Sequence, residues 1–485
     1  MGLFGILLGL AVVVWLAFRG WSVLLLTPAA AMLAAAFAGE PLLAHWTQTF
    51  MDSAARFVAQ FFPLFLLGAI FGKLMDDSGS VSAIARGMAE RLGQRRSMVA
   101  AVLAGALVTY GGVSLFVAFF VLVPMTQTMF RAAGIPRRLV PAAIALGTCT
   151  FTMSALPGTP AVQNTIPMPF FGTTPFAAPG LGIFASAAML SFGLWWLGRA
   201  EAAARRAGEG FGNMAAAPPA AETADDPLIR ERATAAREFD PAEICRGRHG
   251  DTEPSFALAA LPLAVVIAVN LVMSLAVLPR LDTAFLAQPR WGGTSFVAVR
   301  GIWAVLVALA AGILVLILAN RGRLPSLRDS MDAGANASVL PIISVASLVG
   351  FGAVVAALPA FDLVREWVLG IGGGPLISLA LASNMLAALT GSASGGMTIA
   401  LDALGPTYMA LAAEHGIDPG LLHRVVVMAA GTLDTLPHNG AVVTLLALSG
   451  TTHRESYGNV AIVSIVGALL ALVGVILLGS LLGSF

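Results

Sequence analysis

Ten stretches of this chain run for about twenty residues with scarcely a charge, the length a helix needs to cross the hydrocarbon core of a bilayer. They are Gly2–Phe18, Trp21–Ala38, Phe57–Met75, Leu139–Ala155, Leu181–Leu197, Phe256–Leu278, Phe296–Ala319, Val339–Leu358, Val425–Leu448 and Val460–Leu482. The composition agrees: 58% of the 485 residues are hydrophobic and 11% charged, against roughly 25% charged in a soluble domain. So few charges cannot cover the surface of a water-soluble enzyme of this size. A net charge of +1 offers no basic face to nucleic acid. Cys149 and Cys245 make no disulfide framework. The first run is read as a helix rather than a signal peptide, because Arg19 follows its apolar core instead of preceding it. The expected class is an all-α polytopic membrane protein.

Two further apolar stretches do not read as single spans. Ser97–Phe130 carries Tyr110-Gly111-Gly112-Val113-Ser114 near its middle, and Pro375–Leu404 carries Thr390-Gly391-Ser392-Ala393-Ser394-Gly395-Gly396. Each limb is then about 13 residues, too short to span and suited to a re-entrant hairpin. The alternative is one long tilted helix with a glycine packing face. Charge favours the hairpins. Arg86, Arg91, Arg95 and Arg96 precede the first stretch and Arg131, Arg137 and Arg138 follow it, so both flanks read as cytoplasmic. The second is flanked by Asp362, Arg365 and Glu366, then by Glu414, His415 and Asp418, and reads as external. On this topology most of the 27 basic residues, Lys73 included, face the cytoplasm. The exceptions are Arg56, Arg280, Arg290, Arg300, Arg365 and Arg424, and both termini face outward.

The order of elements is three helices, a re-entrant hairpin and two helices, one of them broken, and it occurs twice. Five crossings per half inverts the second half relative to the first. Gly111 precedes Pro157 by the same interval that separates Gly391 from Pro437, and Pro63 and Gly72 stand at one offset from Pro341 and Gly350. Residues 1–198 form the first repeat with its hairpin at 97–130, and 255–485 the second with its hairpin at 375–404. Between them, 199–254 is polar and mixed in charge, with Pro218-Pro219 and Asp225-Asp226-Pro227, and reads as a cytoplasmic linker.

Inverted repeats with discontinuous helices are how many secondary transporters build a site near the bilayer midplane. Here the breaks fall at Gly147–Pro160 and at Gly431–Gly440. Proline removes a helix donor, and the freed backbone must be buried or line a cavity. Candidate substrate-binding residues are Gly111, Gly112 and Ser114 at the first tip, and Thr148, Thr150, Thr152, Ser154, Gly158 and Thr159 at the first break. Their counterparts are Thr390, Gly391, Ser392 and Ser394, then Thr432, Thr435 and Asn439. Half-helix N-termini favour anions, and with no Arg or Lys evident at the tips an anion would be held by dipoles and hydroxyls. The same small residues also suit close helix packing. Asp434 and His438 are ionisable residues inside a membrane segment. Either can carry a coupling proton, or the two can pin the broken helix as a structural pair.

Thr432-Leu-Asp-Thr-Leu-Pro-His-Asn-Gly-Ala-Val-Val-Thr444, Thr452-His-Arg-Glu-Ser-Tyr457 and the hairpin sequence Thr390-Gly-Ser-Ala-Ser394 resemble the gluconate permease (GntP-type) family, within the wider ion transporter superfamily. The resemblance implies proton-coupled uptake of a small organic acid such as gluconate. It also implies a scaffold and a mobile part, often in a homodimer with elevator-type movement. Sodium coupling remains open, because unwound carbonyls can hold Na⁺, and a channel with the hairpins as its filter is a further alternative. No cofactor or metal is expected, and no HExxH, GxSxG or Walker A sequence suggests an enzyme. High alanine, with arginine greatly outnumbering lysine, suggests a GC-rich bacterial source and an inner-membrane location.

Overall fold

In hydrocarbon every backbone N–H and C=O must find a partner within the chain, and the described residues satisfy this with helices alone. The computed structural model describes residues 2–18, 21–212, 250, 252–437 and 439–485. Most of the expected linker, with Cys245, and His438 lie outside the described residues.

The chain opens with α1 (Gly2–Phe18) and α2 (Val23–Ala38), then α3 (Leu42–Asp77) and a short amphipathic α4 (Ser80–Leu92). Next come α5 (Ser97–Tyr110) and α6 (Leu115–Ala133). The first interrupted segment comprises α7 (Val140–Thr148), α8 (Phe151–Ser154), α9 (Val162–Thr165) and α10 (Pro167–Phe171), and the long α11 (Pro179–Arg206) closes this half. Further helices follow from Phe256. Helices α12 (Phe256–Arg280), α13 (Phe296–Ala319) and α14 (Leu327–Ala357) lead to the short amphipathic α15 (Phe361–Leu369). Then follow α16 (Pro375–Thr390), α17 (Ala393–His415), the interrupted pair α18 (Pro419–Thr432) and α19 (Gly440–Leu448), and finally α20 (His453–Leu482).

Among the described residues, seven helices are long and apolar enough to cross a bilayer: α3, α6, α11, α12, α13, α14 and α20. Large apolar side chains on them face outward, Ile183 at 58% exposure and Leu275 at 64% among them, as a lipid-facing perimeter requires. Several spans differ from expectation. Helix α3 starts at Leu42, well before Phe57, because His45–Phe50 continues the helix as a π-turn. The runs Leu139–Ala155 and Val425–Leu448, by contrast, are each interrupted as their breaks lead one to expect.

Both suspect stretches turn back on themselves. The first breaks at Gly111–Ser114, where Gly112 takes φ +100°, and the second at Gly391, with φ +66°. Such angles favour glycine. The returning limbs are longer than expected, 19 residues in α6 and 23 in α17, since Pro124 and Pro406 sit inside these helices without ending them. In the second hairpin a Cβ on Gly396 would stand 2.3 Å from the Ala387 nitrogen, so the two limbs meet backbone to backbone. Gly396→Val is therefore expected to splay the hairpin. It should cost about 1–3 kcal/mol, as overpacking does, and lower the Tm of the detergent-purified protein. An unchanged Tm would contradict the close contact.

Two apolar cores form. The larger joins both hairpins to α3, α7, α11, α13 and α18. The smaller links α1 and α2 to Phe50, to Leu348–Leu358 of α14 and its connection, and to Ile399, and Thr27 Oγ1 lies 2.5 Å from Ser347 Oγ at its edge. Outside the spans, Arg138 donates to both carboxylate oxygens of Glu209 at 2.7 and 2.9 Å, tying the start of α7 to the end of α11. That bidentate bond holds the Glu209 carboxyl below its usual range.

Candidate functional site

At the first break, hydroxyls occupy the carbonyls that the helix leaves behind. Thr148 donates to Ile144 O at 2.8 Å, Thr150 to Leu146 O at 2.7 Å, Thr152 to Gly147 O at 3.0 Å and Ser154 to Thr150 O at 3.0 Å. The interruption comes at Cys149-Thr150, ahead of Leu156-Pro157. Thr109 on α5 lies 3.2 Å from the Thr152 hydroxyl, and Tyr110 OH donates to Pro157 O at 2.7 Å, so the first hairpin is fastened to the break. Farther on, Gly158 N donates to Pro175 O at 2.8 Å, and Gly158 O accepts from Asn270 at 2.9 Å. Asn164 holds Thr159 O at 3.0 Å.

At the second break the chain's own carboxylate is bound. Asp434 is buried, and its Oδ1 accepts from Ala393 N at 2.8 Å and from Asn439 Nδ2 at 3.0 Å. Ala393 is the first residue of α17, so the carboxylate sits at a helix N-terminus, where the dipole favours it. Asn439 also donates to Gly391 O at 2.9 Å and caps α19 through Ala441 N at 2.8 Å. The Ser392 hydroxyl caps α17 by accepting from Gly395 N, and Thr390 donates to Leu386 O at 2.8 Å. Thr432 donates to Met428 O at 2.7 Å, and Thr435 lies 2.7 Å from Ser464 Oγ.

A cavity of about 200 Å³ lies among α3, the first tip, the first break and α14, and the second hairpin reaches it through Ser394. It brings together Gly112 and Ser114 of the first tip, Thr148 of the first break and Ser394 of the second hairpin. Of the other expected residues, Gly111 packs against Leu263 instead, with no room for a Cβ. Thr150, Thr152, Ser154, Gly158 and Thr159 take part in the bonding of the first break, and Thr390, Gly391, Ser392, Thr432, Thr435, Asn439 and Asp434 in that of the second hairpin and break. Unlike Ser392, Ser114 begins its helix without a side-chain capping bond. Helix α6 therefore presents its N-terminus to the cavity through Ser114 and Leu115.

Sequence reasoning missed two sets of charged residues. Lys73 and Asp76 of α3 line the cavity and are buried. Lys73 Nζ stands 3.0 Å from Asp77 Oδ1 and 3.8 Å from Asp76 Oδ2. Their spacing, basic then acidic three and four residues on, was the available signal. On α18, Arg424 is fully buried and donates to Ser154 O at 3.3 Å and Ala177 O at 2.7 Å, across to the first half. Its neighbour His423 lies 2.6 Å from Thr173 Oγ1 and 3.2 Å from Asn164 Oδ1. A basic pair within the apolar run Leu421–Met428 was the signal there. Among the described residues, no group of three or more His, Cys, Asp or Glu is placed to hold a metal.

Comparison with known proteins places this architecture. The GntP family permease model matches residues 1–169. An uncharacterized transporter of Bacillus subtilis (strain 168), YxjC, is 38% identical over 477 residues, covering 96% of each chain. Two solved structures share the fold over 90% of this chain. The YdaH transporter of Alcanivorax borkumensis has a TM-score of 0.53 at 17% identity, over 87% of its own length. MtrF of Neisseria gonorrhoeae, whose structure is described as illuminating a class of antimetabolite efflux pumps, has a TM-score of 0.52 at 14% identity, over 85% of its length. The chain is a multi-pass membrane transporter and not an enzyme. It belongs to the GntP permease family.

Proposed function

We propose that this permease is a secondary active transporter that takes up a small organic hydroxycarboxylate, gluconate or a close relative, by proton symport. The observation that carries the reading is the bound carboxylate of Asp434 at the N-terminus of α17, set beside the first tip, where α6 opens onto the cavity through Ser114 without a side-chain cap. One hairpin binds a carboxylate of the chain itself, and the other presents comparable chemistry to a cavity. A substrate carboxylate there would meet the Ser114 and Ser394 hydroxyls and the helix dipole. Substrate hydroxyls would meet Thr148.

The two halves are proposed as inverted repeats with re-entrant hairpins. The reading includes a scaffold built on α1 and α2, whose core also takes in Ile399 of the second hairpin, with the broken helices moving against it in elevator-type alternating access within a homodimer. The bacterial inner membrane is the proposed location.

Counterflow exchange of labelled gluconate in proteoliposomes tests substrate class without any ion gradient. Exchange should saturate and be competed by hydroxy acids sharing the carboxylate, and it should be equal in sodium and choline buffers. Exchange that requires sodium would transfer the coupling to Na⁺. No exchange of gluconate, with exchange of another solute instead, would reject the substrate.

A further inference from the structure

Lys73 is the only lysine in the chain, and it lies 5% exposed on the cavity wall. A buried ammonium is costly unless paired, and this one has carboxylates on its own helix at 3.0 Å (Asp77) and 3.8 Å (Asp76). The two carboxylates are placed differently. Asp77 is fully buried behind the wall, whereas Asp76 lines the cavity beside Lys73. Both stand in the last turn of α3, where the helix dipole disfavours negative charge. The preceding residue, Gly72, abuts the first tip: a Cβ there would be 3.7 Å from Ser114 N. The turn that carries Lys73 thus adjoins the exposed N-terminus of α6.

We propose that Lys73 is the counter-charge for the substrate carboxylate and that Asp76 takes up the coupling proton. This assignment rests on the reading above of a proton-coupled carboxylate transporter. An anion entering beside Lys73 adds a third negative charge around one ammonium in a low-dielectric site. Like charges raise one another's proton affinity, and Asp76 is the carboxylate that the cavity reaches. A proton from the entry side forms an O–H bond on Asp76 as the anion binds, and that bond breaks when the anion leaves on the other side. Loading therefore leaves the net charge of the site unchanged. Asp77 remains the nearer partner of Lys73.

On the facing elements the cavity wall is uncharged among the described residues: Ser114 on the tip, Leu309 on α13, and Ala337 and Ser338 on α14. Near the end of α3, Glu253 packs on Gly79 and pairs with Arg86 at 2.6 Å, and the Arg323 carbonyl abuts Gly250. Gly250 in turn donates to Asp77 O at 2.9 Å. Asp434, by contrast, is already tied to Ala393 N and Asn439.

The test uses the full chain in proteoliposomes with labelled gluconate. Lys73→Met combined with Asp77→Asn removes the ammonium together with its nearer carboxylate and leaves Asp76, which the cavity reaches, as the remaining charge. It should weaken the apparent affinity for gluconate at least tenfold, and Lys73→Arg should keep part of it. Asp76→Asn should lose accumulation driven by an imposed pH gradient, while gluconate exchange persists and no longer varies with pH. Wild-type affinity in the double variant, or pH-driven accumulation in Asp76→Asn, would overturn the assignment alone. Absence of gluconate exchange in the wild type would overturn the substrate reading and this assignment with it.

Discussion

Asp434→Ala is expected to reduce gluconate uptake at least tenfold. The carboxylate joins two parts of the chain that sequence separates by about forty residues, the N-terminus of α17 and the second break. Its loss leaves Ala393 N–H and one Asn439 N–H without this acceptor. Each buried donor left unsatisfied costs about 1–3 kcal/mol, so the tip should detach from the broken helix. Asp434→Asn separates the two roles open to this residue. Its amide oxygen can still accept from both donors, so an anchoring role predicts that Asn restores most of the pH-driven uptake. A proton-carrying role predicts exchange without pH-driven accumulation. Uptake by both variants, measured side by side in proteoliposomes, reads the difference.

Arg424→Met is expected to be the most destabilising single change. The guanidinium is fully buried and reaches from α18 to Ser154 O and Ala177 O in the other half. Hydrogen bonds to a charged group contribute about 1.5–3 kcal/mol each, so losing two should cost about 3 kcal/mol or more. The cost should appear as a lower Tm in detergent and a smaller folded yield. Arg424→Lys should not restore it, because one ammonium lacks the planar fork that reaches two carbonyls at once. An unaltered Tm in Arg424→Met would show that the first break holds its shape without this link.

The spans were largely legible because hydrocarbon imposes a length and an apolar content on any helix that crosses it. The tips at Gly111–Ser114 and Gly391-Ser392 were legible because glycine followed by serine both ends one helix and starts another. Boundaries were harder. His45-Trp46-Thr47-Gln48-Thr49 is polar enough to read as a loop, yet it continues α3. The site was legible in part. Gly112, Ser114, Thr148 and Ser394 meet at one cavity, because hairpin tips and breaks have to be buried together. Thr150, Thr152 and Ser154 gave no sequence signal that their hydroxyls would turn onto carbonyls of their own helix. Lys73 read as a marker of membrane side. The fold buries it on the cavity wall, one residue from where Gly72 meets the first tip. Arg424 likewise read as a residue of the outer face, because nothing in the linear pattern foretells which carbonyls a broken helix leaves in need of a donor.

The most direct measurement is accumulation of labelled gluconate by the reconstituted full chain under an imposed inward proton gradient with no sodium present. Accumulation above the external concentration is expected, collapsing when a protonophore is added. Entry only to equilibrium and indifferent to the protonophore, or no entry at all, would contradict it.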